Sequence, residues 1–131
     1  MPVKPRLWSR ADLWVPPIAL MGLIFFLSAQ PDLNSGLGVI DLVGRKFIHA
    51  GEYALLCFLW WRALREVLPA RQAPLAALAI AIAYSCTDEF HQTFVHGRHG
   101  TPVDVMIDAV GSVSVAVWLL RRESSRVGEP G

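Results

Sequence analysis

Apolar residues fall in four runs separated by short polar segments, and the length of each run carries the first inference. Leu13 to Leu27 contains Trp14, Ile18, Leu20, Met21, Ile24, Phe25 and Phe26. Phe47 to Leu64 contains Tyr53, Leu55, Leu56, Phe58, Leu59, Trp60 and Trp61. The third run opens at Ala73 with alanine, leucine and isoleucine, then turns polar after Tyr84 on its way to Phe94. The fourth, Val103 to Leu120, has Asp104 and Asp108 near its start. A helix crossing the hydrocarbon core needs about 20 residues at about 1.5 Å each. The pattern therefore predicts an all-α protein: an integral membrane four-helix bundle forming a single domain, residues 1–131. Its spans are expected over roughly 13–29, 47–64, 73–94 and 103–120, with a disordered tail over roughly 123–131.

Finer features refine this reading. Pro16-Pro17 is expected near the start of the first span, where a missing N–H costs little. Trp8, Trp14, Trp60, Trp61 and Trp118 fall near span ends, as in an aromatic belt. Leu27-Ser28-Ala29 is a poor small-x-small cleavage site, so the first span is expected to be retained rather than removed as a signal peptide.

Composition agrees with a membrane protein. Hydrophobic residues make up 53% of the chain and charged ones 18%, and mean hydropathy is +0.41. A formal net charge of +1, with no basic stripe, argues against a nucleic-acid partner. Cys57 and Cys86 lie inside apolar runs, which suggests packing rather than a disulfide. Lysine and arginine set the orientation. Nine of them (Lys4, Arg6, Arg10, Arg62, Arg65, Arg71, Arg121, Arg122 and Arg126) flank one side of the spans, against Arg45, Lys46 and Arg98 on the other. The positive-inside rule then puts both termini and the 62–72 loop in the cytoplasm of a multi-pass plasma-membrane protein. The 30–46 and 95–102 loops face outward.

On this topology polar residues from three helices meet at the outer end. Lys46, His49 and Tyr53 are spaced i, i+3 and i+7 and share a helix face, with Glu52 beside it. Thr87, Asp88, Glu89, His91 and Gln92 stand toward the outer end of the third span, and Asp104 and Asp108 are i, i+4 on the fourth. A small-residue pair, Gly111 and Ser112, would let another helix approach closely. Individually, several have ordinary roles: Lys46 as a snorkelling side chain, His49 as a satisfied bundle histidine, Asp104 as a helix cap. Asp108 lies one turn deeper and needs a buried partner. His96, Gly97, Arg98, His99 and Gly100 read as an outer turn.

The chemistry these groups offer is acid–base and anion binding. His49 and Glu89 are the candidate proton-exchanging, catalytic residues. Lys46, Tyr53, Gln92, Arg98, Asp104 and Asp108 are candidate binding residues, Lys46 and Arg98 for an anionic headgroup. A divalent metal on His49, Glu89, His91, Asp104 and Asp108 is a weaker option, because neither HExxH nor paired cysteines occur, and no cofactor is assigned. Nor is there a Gly-x-Ser-x-Gly motif.

Four segments together carry a resemblance: Phe26-Leu-Ser-Ala-Gln-Pro31, Lys46-Phe-Ile-His-Ala-Gly-Glu-Tyr53, Asp88-Glu-Phe-His-Gln-Thr-Phe-Val-His-Gly-Arg98 and Asp104-Val-Met-Ile-Asp-Ala-Val-Gly111. In their order and spacing the chain resembles the VanZ-like family of small bacterial membrane proteins, named for a protein of low-level teicoplanin resistance. The family pattern falls on Lys46, His49, Tyr53, Glu89, Gln92, Arg98, Asp104, Asp108 and Gly111, with Asn in many relatives where this chain has Asp108. The resemblance implies a multi-pass protein of the cell envelope and supplies no agreed reaction. Its expected partners are membrane lipids and an envelope amphiphile or lipoglycopeptide. Two readings lead: an outward-facing crevice that binds or modifies an amphiphile headgroup, and a non-enzymatic module giving glycopeptide tolerance or binding an envelope partner; a small permease is a third, less favoured class.

Overall fold

A computed structural model of the chain describes residues 10–28, 39–92, 94 and 102–128, excepting the side chains of 28, 39–43, 45, 92, 102, 104 and 126–128. These residues form four helices, α1 (Arg10–Ser28), α2 (Val39–Leu64), α3 (Gln72–Gln92) and α4 (Pro102–Gly128), and contain no strand. At about 1.5 Å per residue even the shortest reaches about 28 Å, close to the thickness of a bilayer's hydrocarbon core. Among the described residues one helix, over Arg10–Leu27 with mean hydropathy 1.5, is long and apolar enough by itself to cross a membrane.

Helix α1 begins three residues before the expected span, with Asp12 in its first turn, where a negative charge complements the helix dipole. Pro16 and Pro17 lie in its second turn rather than at its start. A proline there removes the N–H that would bond the carbonyl four residues back. The carbonyl released by Pro16 is that of Asp12, and the Arg62 guanidinium donates to it from α2 at 3.2 Å. A side chain on another helix thus compensates the break.

Two expected loop boundaries move. Helix α2 starts at Val39, so residues 39–46 continue the helix instead of belonging to an outer loop. The sequence permits this: Val39, Ile40, Val43 and Phe47 recur at helical spacing, and Asp41 and Arg45 are an i, i+4 opposite-charge pair. Helix α4 runs on to Gly128, well past the expected end of ordered chain, because Arg-Arg-Glu-Ser-Ser-Arg contains no strong helix breaker. Between α2 and α3, Leu68 N bonds Leu64 O at 2.8 Å, and the Pro69 carbonyl accepts from Gln72 and Ala73 N–H at 3.0 and 3.1 Å. That compact turn makes α2 and α3 antiparallel neighbours.

The most extensive contact is between α2 and α4; α3 packs on both, and α1 lies against α2 and, less extensively, α3. The core consists of Ile24, Tyr53, Leu56, Cys57, Ala77, Ala81 and Ala116. Three of these are alanines, which let helix backbones come close. The tightest approach is at Gly111, where a Cβ would stand 2.1 Å from the Ala50 carbonyl oxygen. Nothing larger than glycine fits there while α2 and α4 keep their positions. Cys57 is buried, whereas Cys86 is exposed rather than packed. The inward stripe of α3 runs Ala77, Ala81, Ser85 and Asp88, and position 86 falls off it.

Candidate functional site

The packing that buries alanines at one level buries polar groups at another. Ser85, Asp88, Glu89, Asp108 and Ser112 are all buried. Along the helices, His49, Ser85, Asp88 and Asp108 lie about 20–24 Å from the end that carries Arg62 and Arg121. Three helices deliver them because each inward stripe changes from apolar to polar at that height.

Asp108 is the junction. Its Oδ2 accepts from the Ser85 hydroxyl at 2.8 Å. On its other side Oδ1 lies 3.7 Å from His49 Nδ1. One carboxylate of α4 therefore engages α2 and α3 together. The side chain of Asp108 is 1% exposed and that of His49 is 24% exposed. The imidazole can be reached from outside the bundle; the acid behind it cannot.

A second acid pair lies next to the first. The Tyr53 hydroxyl donates to Asp88 Oδ2 at 3.2 Å, and Tyr53 is wholly buried. Ser112 donates to the Tyr53 carbonyl at 3.1 Å, one residue along α4 from the Gly111 contact. The Tyr84 ring stands 6.3 Å from that of Tyr53, and its hydroxyl bonds the Met21 carbonyl, tying α3 to α1. Each bond joins different helices, so the polar layer also holds the bundle together.

Of the residues singled out in the sequence, His49, Tyr53, Asp88 and Asp108 enter this network directly. Glu89 is buried on α3, 6% exposed, and Lys46 is half-buried on α2 one turn before His49. Gln92 closes α3 and Asp104 lies in the first turn of α4, their side chains falling outside the described residues, as does Arg98 entirely. Thr87 is exposed and bonds its own helix at Ala83 O, 3.0 Å away. His91 turns toward α1, its ring 4.3 Å from that of Phe25, and its Nδ1 is buried without a hydrogen bond among the described residues. It does not join His49. Among the described residues no three metal-ligating side chains come together.

Ser85 is a site residue that the sequence reading does not bring forward, and Ser112 stands there as a small residue rather than as a donor. The signal for Ser85 is present, since Ala77, Ala81, Ser85 and Asp88 form one i, i+4, i+8, i+11 stripe. A serine at the polar end of such a stripe has to face a partner helix.

These features define a class: a small helix bundle whose interior is apolar at one end and lined with acids, hydroxyls and a histidine toward the other. The VanZ/LLP1 family model matches residues 13–121. That interval runs from the second half-turn of α1 through most of α4, and the chain belongs to the VanZ/LLP1 family. No curated protein and no solved structure matches it.

Proposed function

We propose that the chain is a four-span membrane protein with both termini in the cytoplasm, and that His49 and Asp108 form the working pair of an outward-facing headgroup site. The observation that carries the site is the pairing of an accessible imidazole with a buried carboxylate, 3.7 Å apart. A carboxylate beside an accessible imidazole is an arrangement that general acid–base catalysis uses. Lys46, one turn along α2, supplies positive charge for an anionic group on an amphiphile. Glu89 is the second proton-exchanging residue, Gln92, Arg98 and Asp104 bind the headgroup, and the buried Tyr53 and Asp108 shape the site from behind.

Membrane placement is supported by surface chemistry. Val15, Ile18, Phe26, Phe47, Ile48, Phe90, Met106 and Val110 are exposed, spread over all four helices. An apolar surface of that extent around a bundle suits lipid rather than water. The orientation rests on the nine-to-three distribution of basic residues.

A second reading draws on the same network. The Tyr53–Asp88, Ser85–Asp108 and Ser112–Tyr53 bonds link α2, α3 and α4 to one another. This favours a non-enzymatic module, its polar layer structural, that confers glycopeptide tolerance or binds an envelope partner. The test expresses wild type, His49→Ala and Glu89→Ala in a teicoplanin-susceptible host and measures susceptibility beside thermal stability in detergent. The headgroup-site reading expects both variants to insert and melt like wild type while tolerance is lost. Full tolerance in both would sink it; a large fall in melting temperature accompanying the loss would favour the structural module.

A further inference from the structure

The opposite end of the bundle holds a cleft of about 590 Å³ between the start of α1 and the ends of α2 and α4. Its size falls within the range of about 300–1,000 Å³ usual for small-molecule sites. Leu13, Phe58, Trp61 and Trp118 supply apolar walls, and three arginines (Arg62, Arg65 and Arg122) stand against one glutamate, Glu66. Arg62 is committed to the Asp12 carbonyl. Arg65 and Arg122 are held differently: their guanidinium carbons lie 5.0 and 5.1 Å from the ring centroids of Trp61 and Trp118. A cation–π contact of this kind fixes the side chain yet leaves the N–H donors for an anion.

We propose that this cleft binds the phosphodiester headgroup of an anionic glycerophospholipid. Arg65 from the α2–α3 turn and Arg122 from α4 donate to the phosphate oxygens, and Leu13 and Phe58 lie along the upper part of an acyl chain. Two features favour a lipid over a free phosphate ion. The walls are largely apolar, which a bare anion does not need. Trp61 lies one turn from the end of α2 and Trp118 faces the same cleft from α4, a level at which indole rings at headgroup depth would sit. The inference depends on the membrane placement above and is independent of the His49–Asp108 chemistry.

The test uses the full chain purified in mild detergent, titrated with phosphatidylglycerol or phosphatidylcholine of matched acyl chains and read by native mass spectrometry. Wild type should retain phosphatidylglycerol about tenfold more than phosphatidylcholine, whose choline cation sets a positive charge against the cleft's arginines that the glycerol headgroup lacks. The R65Q/R122Q variant should lose that preference, whereas R71Q/R121Q, which removes the same charge outside the cleft, should keep it. An unchanged preference in R65Q/R122Q, or equal loss in R71Q/R121Q, would overturn the site. Displacement of the lipid by millimolar inorganic phosphate would assign the cleft to a free anion and overturn the lipid reading. Should R65Q/R122Q fail to fold, quenching by brominated lipid gives a second measure. Brominated phosphatidylglycerol should quench wild-type tryptophan fluorescence more than brominated phosphatidylcholine, and equal quenching counts against the site. A chain that does not fractionate with membranes would instead refute the membrane placement.

Discussion

Asp108 serves two masters, Ser85 and His49, and substitutions there separate geometry from charge. Asparagine keeps an oxygen that accepts from the Ser85 hydroxyl but removes the ionisable carboxyl facing His49. Asp108→Asn should therefore stay folded, with a melting temperature near wild type, and lose the tolerance phenotype; retained tolerance would remove charge from the mechanism. Tyr53 gives a contrasting case. Tyr53→Phe leaves the buried Asp88 without its hydroxyl donor, and an acceptor so deprived costs about 1–3 kcal/mol. Unfolding in a detergent–denaturant titration should reveal that loss. An unchanged midpoint would mean that Asp88 is satisfied without Tyr53. The single-residue roles were partly legible in the sequence. His49, Tyr53 and Asp108 declared themselves as polar residues at helical spacing inside apolar runs. Ser85 and Ser112 did not, because a hydroxyl in an apolar helix can equally bond its own backbone, as Thr87 does.

Among the elements, the contact of α2 with α4 is the most sensitive to change. The obstruction at Gly111 is the backbone of Ala50, not its side chain. Gly111→Ala should destabilise by at least the ~1–3 kcal/mol typical of overpacking. Adding Ala50→Gly should not restore it, since the carbonyl oxygen stays where it is; recovery of stability in the double variant would refute the backbone contact. The joint between α1 and α2 invites a double-mutant cycle. Arg62→Gln in wild type removes the guanidinium donor from the Asp12 carbonyl, whereas in a Pro16→Ala background a restored N–H can take its place. The two substitutions should couple by about 0.5–1.5 kcal/mol, and additivity would dissociate Arg62 from the proline. Run length located all four helices in the sequence, but their ends were less legible. Hydropathy falls before Val39–Lys46 and after Leu120 although helix propensity does not, so a reading by span length stops too early at both places.

For the whole molecule, the order of the chain and the distribution of basic residues make the strongest claim. With both termini cytoplasmic, a C-terminal fluorescent-protein fusion should be bright and a C-terminal alkaline-phosphatase fusion inactive; the reverse pattern would invert the topology. Cys86 offers an independent check. It is exposed on the bundle surface, yet about 21 Å along α3 from Gln72, so lipid would cover it. A charged maleimide applied to intact membranes should label it slowly and label it fully after denaturation. Prompt labelling would indicate a water-facing surface. Four-helix architecture could be read from the sequence at this scale; the arginine–tryptophan cleft could not, because Leu13, Trp61, Trp118 and Arg122 are far apart in the chain and meet only through packing.

The position of Asp108 also bears on how the protein is made. As the ribosome releases helices in order, α4 arrives last, carrying an acid whose partners, Ser85 and His49, lie on helices synthesised earlier. An aspartate opposes insertion by up to about 2.5–3.5 kcal/mol at a helix centre and by less in the second turn, where Asp108 lies. The earlier helices would thus act as a receiving template, admitting α4 at the register in which its acid is satisfied and its Gly111 clears Ala50. On the proposed membrane placement, completion of the bundle would be a late event in biosynthesis, and a nascent chain lacking α4 would leave an open seam for quality-control proteases to find.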